Sequence, residues 1–302
     1  KREFNANLIS EALQTAILKN GPVHINVPFD EPLYETVDEL LEFNFPNSFA
    51  SEVKQSGNYN ELFQIWSSSA KKMILVGANY PENSLQVLLN QFENDSSVII
   101  LTETTSNIAS NKTINSIDQL IFPLSDDELE ELKPEVLLTF GGMIVSKKIK
   151  QFLRKQRPNH HWHLDALKSM NTFHCLSEYI NERPIEFLPK LVNLNLVESN
   201  YQQKWLSEKE KRAVKHQEYV SQIPFSDLKV FEEVLESIPN GSQLQLANSS
   251  IIRYTQLFNI NNTLEVFCNR GTSGIDGSTS TSIGAAFAKR NQTVFITGDL
   301  SF

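Results

Sequence analysis

Between residues 57 and 164 the chain alternates short apolar, β-branched runs with stretches of helical period. No other feature constrains its fold as strongly. The runs are MILVG at 73–77, SVIILT at 97–102, VLLTFG at 136–141 and HWHL at 161–164. The first three are continuous rather than alternating, which marks strands buried on both faces. Helical period separates them at 58–71, 83–92 and 146–155. Strands that alternate with helices imply a parallel sheet covered on both sides, so the fold class is α/β.

The same alternation returns near the C-terminal end. A helix at 226–238, strand 243–247, a helix after Ser249, strand 264–268, a helix at 278–289 and strand 294–297 predict a second parallel sheet. At the other end Leu8, Ile9, Leu13, Ala16 and Ile17 predict a helix over 5–18, stopped by Gly21-Pro22. VHINV at 23–27 alternates and meets Pro28, which predicts a short strand. Residues 29–56 carry no sustained period, and 200–224 are charged and polar, a connection expected to be partly helical. The expected organisation is the end of one α/β domain at 1–40, a linker at 41–56, a complete middle domain at 57–198 and the start of a third domain at 199–302. The first residue is Lys and the last strand stops the chain in mid-sheet, so the expectation is an internal piece of a longer protein.

A formal net charge of −9 argues against a general nucleic-acid or anionic-membrane surface and still permits a local basic pocket. No apolar run approaches the roughly 20 residues that cross a bilayer, and no signal peptide is present, so no membrane insertion is expected. Cys175 and Cys268 stand far apart in no metal or redox spacing, which reads as two reduced thiols in a cytoplasmic protein.

Several segments carry candidate chemistry. In Asn248-Ser249-Ser250-Ile-Ile-Arg253 a strand passes into a helix. Ser249 is placed to cap it, and Arg253, four residues on, shares its face, a pairing that suits a carboxylate. A plain cap with a surface arginine is the structural alternative. In Asn269-Arg270-Gly271-Thr-Ser-Gly274-Ile275-Asp276-Gly277 three glycines follow a strand and precede a helix, so backbone can approach a ligand. Arg270 sits at the carboxyl edge where α/β sheets bind ligands. The spacing is not that of a dinucleotide fingerprint. Gly298-Asp299-Leu300-Ser301 ends a strand with a carboxylate that suits a hard cation. Lys147 and Lys148 begin a helix after Gly141-Gly142, as acidic-substrate ligands or as a solvated charge pair. In the run at 159–163, His161 and His163 would face the same side of a strand but lack a third ligand in reach, so the run reads as a strand-end cluster.

In order along the chain these segments resemble the SEPHCHC synthase family, thiamine-diphosphate enzymes of menaquinone biosynthesis. The resemblance covers the whole chain. Gly21-Pro-Val-His-Ile-Asn-Val-Pro28 resembles the end of the pyrimidine-binding domain, and Phe29-Asp-Glu-Pro-Leu-Tyr34, the 269–277 loop, the 248–253 run and 298–301 follow at matching distances. The resemblance implies a transferase that decarboxylates 2-oxoglutarate and adds the product to isochorismate, with thiamine diphosphate and Mg²⁺ (or Mn²⁺) as cofactors. It implies substrate contacts from Ser249, Arg253, Arg270, Lys147 and Lys148, and cofactor contacts from Ile275, Gly298, Asp299, Leu300 and Ser301, with Asp299 the metal ligand. The family commonly has Lys-Arg where this chain has Lys147-Lys148, so the second position lacks the guanidinium fork. The resemblance puts the cofactor-activating Glu in an N-terminal domain, leaving no catalytic residue here, and implies a homodimer or homotetramer for the intact protein and no turnover by these 302 residues alone. An acetolactate-synthase-type carboligase and a non-catalytic α/β binding protein are the competing readings. The first would need no second carboxylate anchor, and the second would ignore thiamine diphosphate.

Overall fold

The computed structural model describes residues 2–18, 21–28 and 57–302. It divides into two compact units, Lys1–Asn58 and Tyr59–Phe302. In the first, helix α1 (Arg2–Leu18) begins three residues earlier than its apolar spacing predicts, and Gly21 donates its N–H to the Ala16 carbonyl at 3.2 Å. Residues 23–27 do not form the expected strand. A strand exists only through its ladder, no described strand pairs with this segment, and residues 22–28 are all exposed. Residues 29–56, including the expected linker, lie outside the described residues.

The second unit holds two parallel sheets. The first follows the order α2 (Asn60–Ser68), β1 (Lys72–Val76), α3 (Asn83–Phe92), β2 (Val98–Thr102), β3 (Thr113–Ile114), α4 (Ile117–Ile121), α5 (Asp126–Leu132), β4 (Val136–Phe140), α6 (Lys147–Lys155), β5 (His160–Leu164), β6 (Glu178–Ile180) and α7 (Pro184–Val192). Its spatial order is β3-β2-β1-β4-β5-β6, every pair parallel. The strands run outward from β1 in both directions, the doubly wound pattern. Strands β1, β2 and β4 are buried at every residue, which is why they read as continuous apolar runs. One core packs Trp66, Ile74, Leu89, Trp162 and Phe187 on one face, and a second packs Met73, Leu101, Leu137, Phe152 and Trp205 on the other.

The order reverses between β1 and β4, where open α/β sheets usually part to admit a ligand. Here backbone fills the gap. Gly77 donates to the Phe140 carbonyl at 2.9 Å, and Gly142 donates to the Ala78 carbonyl at 2.7 Å. A Cβ on Gly77 would lie 2.1 Å from the Gly142 carbonyl oxygen, so only glycine fits.

Lys72 opens β1 with its side chain wholly buried, and its ammonium meets Asp95 at 2.9 Å and lies 5.1 Å from the centre of the Trp66 ring. Farther along the sheet the histidine cluster has a structural explanation. The Thr139 hydroxyl lies 2.9 Å from His161 Nε2 and 2.9 Å from His163 Nδ1. One hydroxyl hydrogen cannot serve both rings, so at least one ring donates to it. Among the described residues no group of three or more His, Cys, Asp or Glu is arranged to hold a metal. Burial, with His163 adding to it, lowers His161 from 6.5 to about 4, and burial lowers His163 as well. Both rings are therefore held neutral. The unfolded chain takes up protons below about 6.5 and the folded one does not, so stability must fall as pH drops from about 6.5 towards 4. For His161 alone the loss is roughly 2 kcal/mol by pH 5. Urea midpoints at pH 7.5 and pH 5 should show it, with a flatter dependence in His161→Gln; identical midpoints would contradict the buried neutral pair.

Helix α8 (Tyr201–Gln222) corrects the expectation of a partly helical connection, being one unbroken helix of 22 residues. Its first turn drives Tyr201 and Trp205 into the second core, and the Tyr201 hydroxyl donates to the Leu132 carbonyl at 3.0 Å. The remaining elements are α9 (Asp227–Ser237), β7 (Gln243–Leu246), α10 (Ser250–Thr255), β8 (Glu265–Cys268), α11 (Ser278–Lys289) and β9 (Thr293–Ile296). They build a sheet of order β8-β7-β9, all parallel, in which Leu246 lies opposite both Cys268 and Ile296. The three strands therefore end together, and the loops after them share one edge.

Asn107 fastens this sheet to the first one. It adopts the left-handed conformation that asparagine tolerates, with φ of 53°. Its side-chain oxygen accepts from Val266 N at 2.7 Å, and its Nδ2 donates to the Val266 carbonyl at 2.9 Å. One amide thus satisfies both backbone groups on the outer edge of β8, as a neighbouring strand would.

Candidate functional site

The carboxyl edge of the β8-β7-β9 sheet gathers most of the residues singled out in the sequence. The hub is Asn248, which is buried. Its Nδ2 donates to the carbonyls of Asn269 at 2.8 Å and Gly274 at 2.7 Å. Its Oδ1 accepts from Arg270 Nη1 at 2.7 Å and from Cys268 Sγ at 3.4 Å. One buried amide therefore shapes the 269–274 loop and aims Arg270. The Arg270 Nε is buried with no hydrogen-bond partner among the described residues, a donor left for an acceptor to meet. Burial pushes the Cys268 thiol up to about 11, which makes it a poor nucleophile.

Ser249 does not cap α10 as expected. Its φ of 71° and ψ of −126° lie outside the extended region a capping residue needs, and its hydroxyl bonds no first-turn N–H. A non-glycine residue at that φ stores strain of about 1–3 kcal/mol, a cost commonly met at ligand-binding turns. The Ser249 side chain is exposed, and Arg253, half-buried, lies one turn further along the helix.

A charged cluster joins this edge to the first sheet. Burial lowers Lys150 on α6, the charge of Glu103 opposes that shift, and Arg270, Arg154 and Arg253 add to it. Lys150 Nζ also donates to the Ile144 carbonyl at 3.0 Å. The charges of Glu103, at the end of β2, and of Arg270, Arg154 and Arg253 thus all act on Lys150. Lys147, the first residue of α6, is exposed. Lys148 points elsewhere: its ammonium lies 4.5 Å from the centre of the Phe122 ring, beside α4. Arg270 lies in the loop after β8 and Arg253 on the helix after the neighbouring strand β7, both acting on Lys150; Lys147 opens the helix of Lys150, and Lys148 turns to Phe122. The roles of Glu103, Lys150 and Asn248 were missed. The signals present were a carboxylate at the carboxyl end of a parallel strand and a lysine three residues, one helical turn, beyond Lys147. A cleft of about 790 Å³ runs between Tyr80, Met143 and Lys168 on one side and Phe267, Asn269 and Arg270 on the other.

The remaining residues frame the same edge. Ile275 is exposed at the tip of its loop, and Gly277, at φ 76°, leads into α11. Asp299 begins a single turn, and its Oδ1 accepts from Leu300 N at 2.9 Å. Leu300 is exposed, and Thr279 Oγ1 donates to the Ser301 carbonyl at 3.2 Å, tying that turn to the start of α11. Two observations test whether these residues suit a diphosphate and a divalent cation. Added Cβ atoms at Gly277 and Gly298 would meet nothing within 4 Å. The Ser278 hydroxyl, in the first turn of the 12-residue α11, is buried without a partner among the described residues. Open backbone at a helix start with a spare hydroxyl fits a phosphate. A single exposed carboxylate fits Mg²⁺, which takes its other oxygens from water and the phosphates.

A family profile described as "Middle domain of thiamine pyrophosphate" matches residues 49–246, most of the chain. The chain belongs to that family. Among curated proteins it is 51% identical to the 2-succinyl-5-enolpyruvyl-6-hydroxy-3-cyclohexene-1-carboxylate synthase of Flavobacterium johnsoniae, over 99% of this chain and 57% of the relative. Proteins of the same name from Flavobacterium psychrophilum and Christiangramia forsetii are 48% and 44% identical, over 99% and 100% of this chain and 55% and 54% of theirs. The chain spans about half the length of the curated relatives it matches. Its doubly wound sheet is thus a thiamine pyrophosphate middle domain, and among the described residues no helix is long and apolar enough to cross a membrane.

Proposed function

We propose that this chain is part of a SEPHCHC synthase that decarboxylates 2-oxoglutarate and joins the product to isochorismate. The observation that carries the reading is Arg270 in the 269–277 loop, held on Asn248 through Nη1 with its Nε left without a partner among the described residues, with the charges of Arg270 and Arg253 both acting on Lys150. Both substrates carry more than one carboxylate, and a carboligase acting on a small monocarboxylate donor has no use for so many cations. The named relatives support the same reaction.

Bound thiamine diphosphate supplies an electron sink for loss of CO₂ from the 2-oxo acid. The chain's own residues hold and orient. Asp299 would ligate Mg²⁺, and Gly298, Leu300 and Ser301 form the turn that receives the diphosphate. Ile275, exposed on its loop, would contact the cofactor. Arg270 offers Nε and its remaining guanidinium donors to a substrate carboxylate while Nη1 stays on Asn248. Ser249, Arg253 and Lys147 complete the acidic-substrate pocket. The intact protein acts as a homodimer or homotetramer in the cytoplasm.

The test uses the complete protein. Loss of isochorismate absorbance should require 2-oxoglutarate, thiamine diphosphate and Mg²⁺ together. Consumption that proceeds equally well with pyruvate in place of 2-oxoglutarate would reject the dicarboxylate donor and favour an acetolactate-type carboligase.

A further inference from the structure

Glu103 takes no part in that chemistry, yet it lies where the elements of the pocket meet. It is 1% exposed, and both carboxylate oxygens are taken by backbone. Oε2 accepts from Val145 N at 2.6 Å and Oε1 accepts from Ser146 N at 2.7 Å. Those two amides immediately precede α6, which carries Lys147 and Lys150. Ser106 holds Glu103 in turn, its Oγ accepting from Glu103 N at 2.8 Å and donating to the Val76 carbonyl at 2.7 Å, so the carboxylate is anchored to the middle of the first sheet. Burial raises the Glu103 pKa; the Ser146 and Val145 amides oppose that shift, as do the Gln256 side chain and the Arg270 charge beside the other sheet. Gln256 is the residue that ends α10, the helix of Arg253. Val145 itself packs into the core of the second sheet with Leu246 and Val266.

We propose that Glu103 is a positioning residue that sets the start of α6, and with it Lys147 and Lys150, in register with the Arg270 edge for a dicarboxylate. It does not touch substrate, because both its oxygens are occupied and buried. It acts through the two amides that fix the start of α6, the helix that carries Lys147 and Lys150. This inference rests on the dicarboxylate reading above and adds to it the residue that sets the pocket's geometry.

The experiment is a calorimetric titration of the full-length protein, loaded with thiamine diphosphate and Mg²⁺, with glutarate, a dicarboxylate that cannot be decarboxylated. Glu103→Gln keeps length and shape but sets an amide N–H₂ against one backbone N–H and removes the charge. It should weaken glutarate at least about tenfold while thiamine diphosphate affinity stays within about twofold. Gln256→Ala leaves the buried charge in place and should weaken glutarate about threefold with the same selectivity. A merely structural role would lower both affinities together. Equal glutarate affinity in wild type and variants, or parallel loss of cofactor, would overturn the proposal for Glu103. If Glu103→Gln does not fold, the Gln256→Ala titration decides on the same criterion. A wild type that binds no glutarate would instead overturn the dicarboxylate reading, and this inference with it.

Discussion

Replacing Asp95 by Ala should destabilise the Tyr59–Phe302 unit by about 3–5 kcal/mol, a large share of the stability of a unit this size. Lys72 is 0% exposed and its ammonium meets Asp95 at 2.9 Å. Burial already lowers the Lys72 pKa, and the hydrogen bond and charge of Asp95 are the main forces that hold it charged. The other carboxylate oxygen of Asp95 accepts from Ser97 N at 2.9 Å and from the Ser97 hydroxyl. The substitution therefore strands a buried cation and two buried donors in one step. Water cannot repair this, because β1 is covered on both faces. Chemical denaturation should show the loss, and the double variant Lys72→Met with Asp95→Ala should recover much of it, since a methionine needs no partner. A single-variant loss below about 1 kcal/mol would mean that Lys72 simply deprotonates and that the pair contributes little.

The same pair shows what was legible in the sequence and what was not. Strands β1, β2 and β4 could be read because every residue in them is buried, and so short a continuous apolar run between helices fits little but a strand covered on both faces. Helices α3 and α11 were read with their observed limits, 83–92 and 278–289. The edge strands β3 and β6, of two and three residues, are too short to show a period. Helix α8 was legible only as a partly helical connection because Tyr201, Trp205 and Val220 are its buried residues, too few to show a sustained period. In the site, Arg253 and Arg270 were legible from their place after strand ends. Lys148 was not separable from Lys150, because adjacency on a helix does not say that Phe122 waits on one side and Glu103 on the other. Glu103 was invisible because its amide partners lie 42 and 43 residues away in sequence. Contacts that join two sheets are written in no local pattern.

The largest effect on turnover should come from Arg270→Ala in the complete protein. Arg270 combines a fixed orientation, through Nη1 on Asn248 at 2.7 Å, with a buried Nε that has no partner among the described residues. A guanidinium held this way meets a carboxylate with its own side chain already ordered. Removing one member of such a charged pair costs about 2–4 kcal/mol, which is roughly a 30- to 900-fold fall in kcat/KM for 2-oxoglutarate. With the diphosphate proposed to sit at the 298–301 turn rather than on Arg270, the affinity for thiamine diphosphate should change little. Arg270→Lys should recover only part of the loss. An ammonium can reach Asn248 or the substrate but cannot fork between them. Steady-state kinetics with 2-oxoglutarate and with pyruvate as donors provide the check. If Arg270→Ala lowers both donors equally, the guanidinium supports the loop rather than the second carboxylate. If neither falls by more than about threefold, the orphaned Nε is not a substrate contact, and the anchor must be sought at Arg253 or Lys147.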